Sequence, residues 1–133
     1  MAQQSQVKDI ASASEFNQLL KDNKYVVTDF YATWCGPCKA MAPLYEQHAA
    51  KNAAVGKVAF AKVDVDAVPD VAARYRVTNI PTFLFIKDGE EYDEIRQANP
   101  PKLKAAVDEI AVEVAKLNDG DSDITKAIQD EDW

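Results

Sequence analysis

Cysteine is nearly absent from this chain: two in 133 residues, at Cys35 and Cys38. That excludes the disulfide-dense scaffolds of small secreted proteins, which carry several widely spaced pairs, and favours redox or metal chemistry for the one close pair. Histidine is scarcer still, since His48 stands alone. No apolar run approaches the ~20 residues that span a bilayer, and no internal repeat is visible. The opening segment Met1-Ala2-Gln3-Gln4-Ser5-Gln6 has neither a basic region nor an apolar stretch, so it reads neither as a secretory signal nor as an Arg-rich transit peptide. A reducing intracellular compartment, the cytoplasm, is the expectation, although a mature chain whose leader had been removed would look the same. Positive charge is also in deficit. The net charge of −7 disfavours nucleic acid and anionic membranes as partners. Much of that excess lies at one end: residues 119–133 hold six acidic side chains against the single Lys126.

With apolar types near half of the residues, the chain can bury one sizeable core. Residues 7–10 form a short candidate strand. Ser12, three residues before Glu15, signals a helix start; Phe16, Leu19 and Leu20 fall on one face, and Lys21-Asp22-Asn23-Lys24 closes that helix. Residues 25–32 are almost continuously apolar, as a central strand covered on both faces requires. A helix follows from Pro37 to about residue 54, with Met41, Leu44, Tyr45 and His48 inward and a bend expected at Pro43. Residues 58–65 read as a buried strand, 70–75 as a short helix and 82–87 as a strand. Asp88-Gly89 marks a tight hairpin into an edge strand over 91–96. A last helix runs from Pro100-Pro101 to about Lys116. Asn118-Asp119-Gly120-Asp121 is expected to end the domain, so that 1–117 is the domain and 118–133 an acidic extension, disordered or with a short helix over 122–129. The order β-α-β-α-β-α-β-β-α gives an α/β mixed sheet with helices on both sides.

The chemistry centres on Trp34-Cys35-Gly36-Pro37-Cys38-Lys39. Two cysteines three apart on a helical turn are close enough for a disulfide to open and close without moving the backbone. Cys35 falls where a strand gives way to a helix N-terminus, whose free N–H groups and positive dipole end favour a thiolate. It is therefore the candidate nucleophile. Pro37 suits the first helical turn, and Gly36 leaves room beside the sulfur for a client backbone. Cys38, one turn further in, is expected to be the more shielded, resolving thiol. A zinc site competes, but it needs four ligands, and only His48 could join from the softer types. A purely structural disulfide closing so short a loop would constrain the unfolded chain little. Asp29 and Lys62 are charged residues inside otherwise apolar strands. Each has a bland reading beside a functional one: an aspartate satisfied by hydrogen bonds at the strand end, and a lysine whose stem snorkels to solvent.

The hexapeptide from Trp34 to Lys39 resembles the active site of the thioredoxin family, as do Asp29, Pro43, Ile80-Pro81-Thr82 and Lys87-Asp88-Gly89-Glu90 in their spacing. The resemblance covers roughly residues 5 to 117. It implies a thioredoxin fold, a central mixed sheet of about five strands flanked by four helices, here with an acidic C-terminal tail. It implies a protein-disulfide reductase with Cys35 as nucleophile and Cys38 as resolving thiol. Asp29 would be the buried acid that takes the Cys38 proton, and Lys62 a neighbour that biases its charge. Pro81 would be cis and face the sulfurs, with the Ile80 backbone pairing to an extended client segment. Trp34, held by Asp66, would wall the groove beside Gly36 and Pro37. No metal or bound organic cofactor is implied. Partners would be disulfide-containing clients and an NADPH-dependent flavoprotein, thioredoxin reductase, acting on a monomer. A proline rather than a histidine between the cysteines fits the reducing end of the family. Two other classes stay open: an oxidase or isomerase domain, and a binding or chaperone module that uses the groove without turnover. The chain departs from the family at Arg96-Gln97-Ala98, where a small glycine usually faces the groove, at Tyr31, where some members carry a second tryptophan, and in its acidic tail.

Overall fold

The computed structural model describes residues 5–127, with side chains through residue 117. Nine elements follow one another: β1 (Val7–Asp9), α1 (Ala13–Asp22), β2 (Tyr25–Tyr31), α2 (Gly36–Asn52), β3 (Val58–Asp64), α3 (Pro69–Arg74), β4 (Thr82–Lys87), β5 (Glu90–Ile95) and α4 (Pro100–Ala127). The five strands form one sheet in the order β1-β3-β2-β4-β5. β1, β3 and β2 are parallel, whereas β4 is antiparallel to both β2 and β5. This is the mixed sheet expected from the element order, and its five strands and four helices make the thioredoxin fold that the family resemblance implied.

β2 lies in the middle because it can bury both faces. Tyr25 and Val27 join Met41, Tyr45, Phe60, Phe83, Leu103 and Val107 in a core beneath α2 and α4. Val26 and Phe30 point the other way, into a core with Phe16, Val63, Val71 and Leu84 beneath α1 and α3. Local signals fix the ends. The Ser12 hydroxyl accepts the Glu15 N–H at 3.1 Å, capping α1. Asp88 and Gly89 both have positive φ, 52° and 83°, as the tightest hairpin turn demands. β5 carries the solvent-facing acids of an edge strand.

The last helix departs from the sequence reading. α4 does not stop near Lys116 but continues through 118–121 to Ala127. One glycine costs a helix only about 1 kcal/mol, and no proline follows to end it. The rest of the expected tail helix, at 128 and 129, lies outside the described residues.

One packing detail ties α2 to the sheet. The Tyr45 hydroxyl, fully buried, lies 2.9 Å from the Val27 carbonyl oxygen and 2.7 Å from that of Ala61, within donating distance of both β2 and β3. Burial raises its pKa well above the ordinary tyrosine value, so it stays a donor. Tyr45→Phe is expected to lower stability by about 1–3 kcal/mol, the range for removing one partner of a buried hydrogen bond. Urea unfolding checks this; a loss below about 0.3 kcal/mol would show the bond to be dispensable.

Candidate redox site at the N-terminus of the second helix

β2 ends at Tyr31, and Ala32-Thr33-Trp34 leads into α2 with Cys35 as its N-cap residue. Cys35 and Cys38 form a disulfide across a Cα–Cα distance of 5.3 Å. The Cys38 N–H, one of the free donors of the first turn, points at the Cys35 sulfur from 3.2 Å. A capping sulfur that accepts an N–H at a positive helix end is stabilised as an anion once reduced. Pro37 sits in the same first turn, where its missing N–H removes no helical bond. Gly36 opens onto free space: a Cβ built there meets nothing within 4 Å.

The expectation that Cys38 is clearly more shielded is not met in the disulfide form. Cys35 is 5% exposed and Cys38 4%. The bond pulls both sulfurs into one small cluster with Ala32, against which Tyr31, Val65 and Ile80 pack. What separates the two is position on the helix, not exposure. Among the described residues no group of three or more histidine, cysteine or carboxylate side chains is placed to hold a metal ion.

Around the pair, Trp34 is 68% exposed, presenting its indole to solvent. Its Nε1–H donates to Asp66 Oδ2 at 2.9 Å, while the Asp66 N–H donates to Asp64 Oδ1, also at 2.9 Å. The Ile80–Pro81 peptide bond is cis. The Thr82 hydroxyl donates to the Asn79 carbonyl at 2.6 Å and so fastens the loop around Pro81.

Asp29 is buried in β2, and alternation along the strand places it on the same face as Val27, toward α2. Its Oδ1 has no protein hydrogen-bond partner among the described residues. Burial raises its pKa from 3.8 to about 7, and the positive charge of Lys62 only partly opposes this. Lys62 is its register neighbour on β3, yet no ion pair within 4 Å joins them among the described residues. The Lys62 ammonium lies instead 5.7 Å from the centre of the Tyr31 ring. Cys35, Cys38 and Ile80 therefore meet in one cluster, and Asp29 and Lys62 meet in register. The sequence reading missed the Tyr45 hydroxyl; a tyrosine on an otherwise apolar helix face was the available signal.

Comparison with known proteins agrees with this geometry. The thioredoxin family model matches residues 7–109. The chain is 45% identical to thioredoxin-1 of Schizosaccharomyces pombe over 101 residues, covering 76% of this chain and 95% of that protein. It is 48% identical to thioredoxin-2 of Pyricularia oryzae over 101 residues, covering 76% of this chain and 57% of that longer protein. Among solved structures it is similar to the thioredoxin of Malassezia sympodialis, with a TM-score of 0.74 and 39% identity, over 84% of this chain and 96% of that one. It is likewise similar to mitochondrial thioredoxin 3 of Saccharomyces cerevisiae, with a TM-score of 0.71 and 40% identity, over 77% and 94% of the respective chains.

Proposed function

The chain belongs to the thioredoxin family, and from that premise we propose that it is a protein-disulfide reductase, a thiol–disulfide oxidoreductase cycling between a Cys35–Cys38 dithiol and disulfide. The observation that carries this is the disulfide built across the first turn of α2, with a helical N–H aimed at the Cys35 sulfur.

In the reduced protein the Cys35 thiolate attacks one sulfur of a client disulfide, and the client's other sulfur leaves as a thiolate that takes up a proton. Cys38 then loses its proton to Asp29 and attacks the Cys35 sulfur of the mixed disulfide. The client is released as a dithiol and two electrons have left the protein. Lys62 biases the charge on Asp29, partly opposing the effect of burial. Trp34, Gly36, Pro37 and Pro81 line the docking surface, and the Ile80 backbone pairs with an extended client segment, a mode that tolerates many side chains.

Clients are disulfide-containing proteins, and an NADPH-dependent flavoprotein, thioredoxin reductase, restores the dithiol. The reductase works as a cytoplasmic monomer, without nucleic acid or membrane partners; no helix among the described residues is long and apolar enough to cross a membrane. Residues 1–117 are the catalytic domain, with 118–133 an acidic extension. Nothing favours the oxidase, isomerase or non-turnover readings.

Equilibration with glutathione or dithiothreitol buffers tests the direction of electron flow. The expected potential is about −270 mV, the established figure for thioredoxins as a class; a value near about −120 mV would make the protein an oxidant of its clients.

A further inference from the structure

β5 leaves the sheet at the same end as the disulfide. Ile95 pairs with Phe83, and one more step of that register brings Arg96 beside Thr82, next to Pro81. β2, β4 and β5 are consecutive strands. Arg96 therefore stands two strand spacings, about 10 Å, from the end of β2 that leads to Cys35.

A cleft of about 380 Å³ runs along β5 beside the end of α3, lined by Arg74, Tyr75, Arg76, Glu91, Glu94 and Arg96, and Arg96 marks its end toward the disulfide. Arg96 Nε donates to Glu94 Oε2 at 2.9 Å. Arg74 is anchored to Asn17 Oδ1 at 2.8 Å and lies over the Phe16 and Tyr75 rings. Arg76 differs. It is exposed, its side chain has no partner among the described residues, and its φ of 55° is a left-handed value that disfavours a side chain. Three guanidinium groups against two carboxylates leave this rim positive on a chain of net charge −7. The other rim, behind Trp34, carries Asp64 and Asp66. The two sides of the redox centre thus differ in sign.

We propose that this polarity selects clients: the arginine rim around Arg76 and Arg96 engages carboxylates in the client segment on one flank of the reacting disulfide. Guanidinium groups suit this because their forked donors match a carboxylate. The inference rests on the reductase reading and narrows its substrate class to disulfides with an acidic flank of defined side.

Single-turnover reduction of synthetic peptides by the reduced full-length protein tests it. Three peptides share one disulfide and carry two glutamates before it, two glutamates after it, or glutamines at all four places. One acidic peptide, and only one, is expected to react about three- to tenfold faster than the neutral peptide at low salt, and to lose that lead in 1 M salt. The double variant Arg76→Gly, Arg96→Ala should bring the ratio close to one, whereas lysine at both positions should keep part of it. Glycine suits the left-handed backbone at position 76, so this change does not strain the fold. Equal rates on all three peptides, or a preference that survives the double substitution, would overturn the proposal while leaving the reductase reading intact. Failure to reduce any peptide would overturn both.

Discussion

Cys35→Ser is expected to take insulin reduction to background, a loss on the order of 10³-fold or more, because no other group can begin the exchange. Cys38→Ser should lose turnover as completely but fail at a different step. It retains the attacking sulfur, so it should accumulate a mixed disulfide with the client, visible by non-reducing electrophoresis or intact mass. The asymmetry cannot be read from exposure, since the two sulfurs are equally buried in the disulfide form. It follows from the helix: Cys35 is the cap that receives the Cys38 N–H, and beside it the space at Gly36 is open. A capping sulfur that receives a helical N–H and open space at the neighbouring residue coincide there. If Cys35→Ser captured the client and Cys38→Ser stayed inert, the assignment of attacking and resolving thiols would be reversed.

How far the amino-acid order reveals this arrangement depends on the range over which each signal acts. The Ser12 cap, the Asp88-Gly89 turn and the cysteine pair are local: each is decided by a few residues of backbone, and each appears as read. The central place of β2 was legible because apolar residues on both faces of a strand leave no other position for it. Effects that need two distant segments were not. The Tyr45 hydroxyl finds its acceptors on two strands, at 18 and 16 residues' remove, and a tyrosine inside an apolar pattern passes for core filler. The near-equal burial of the two cysteines involves Val65 and Ile80, which pack against the pair from other parts of the chain. The end of α4 was misjudged because Asn118-Asp119-Gly120 looks like a stop, while helix propensity alone is too weak to impose one. The left-handed backbone at Arg76 carries no sequence signal at all, for arginine is not a residue that favours it.

Asp29 should make the disulfide form of the protein less stable as pH rises through neutrality. Its pKa is about 7 in the folded chain against 3.8 for the free side chain. Below 3.8 the carboxyl is protonated in both states and contributes no difference; between the two values the folded state holds a proton that the unfolded chain has released. Above 7 the folded state must bury a carboxylate, so stability falls from about pH 4 and levels off beyond 7, by about 4 kcal/mol in all. Asp29→Asn removes this titration. An amide at the same place adds an offset of its own, but that offset does not depend on pH. The informative quantity is therefore the change in the wild-type–variant difference between pH 4 and pH 8, measured by urea unfolding with the disulfide intact so that neither sulfur titrates. The variant is expected to gain about 4 kcal/mol on wild type across that range; parallel curves would mean that Asp29 is solvated or paired when ionised. In the proposed mechanism the same destabilised carboxylate would accept the Cys38 proton near neutral pH. In the reduced protein, Asp29→Asn should slow release of the Cys35-bound client by about tenfold or more and remove the rise of that rate through pH 7. A variant that changed stability but not this pH profile would confine Asp29 to the fold.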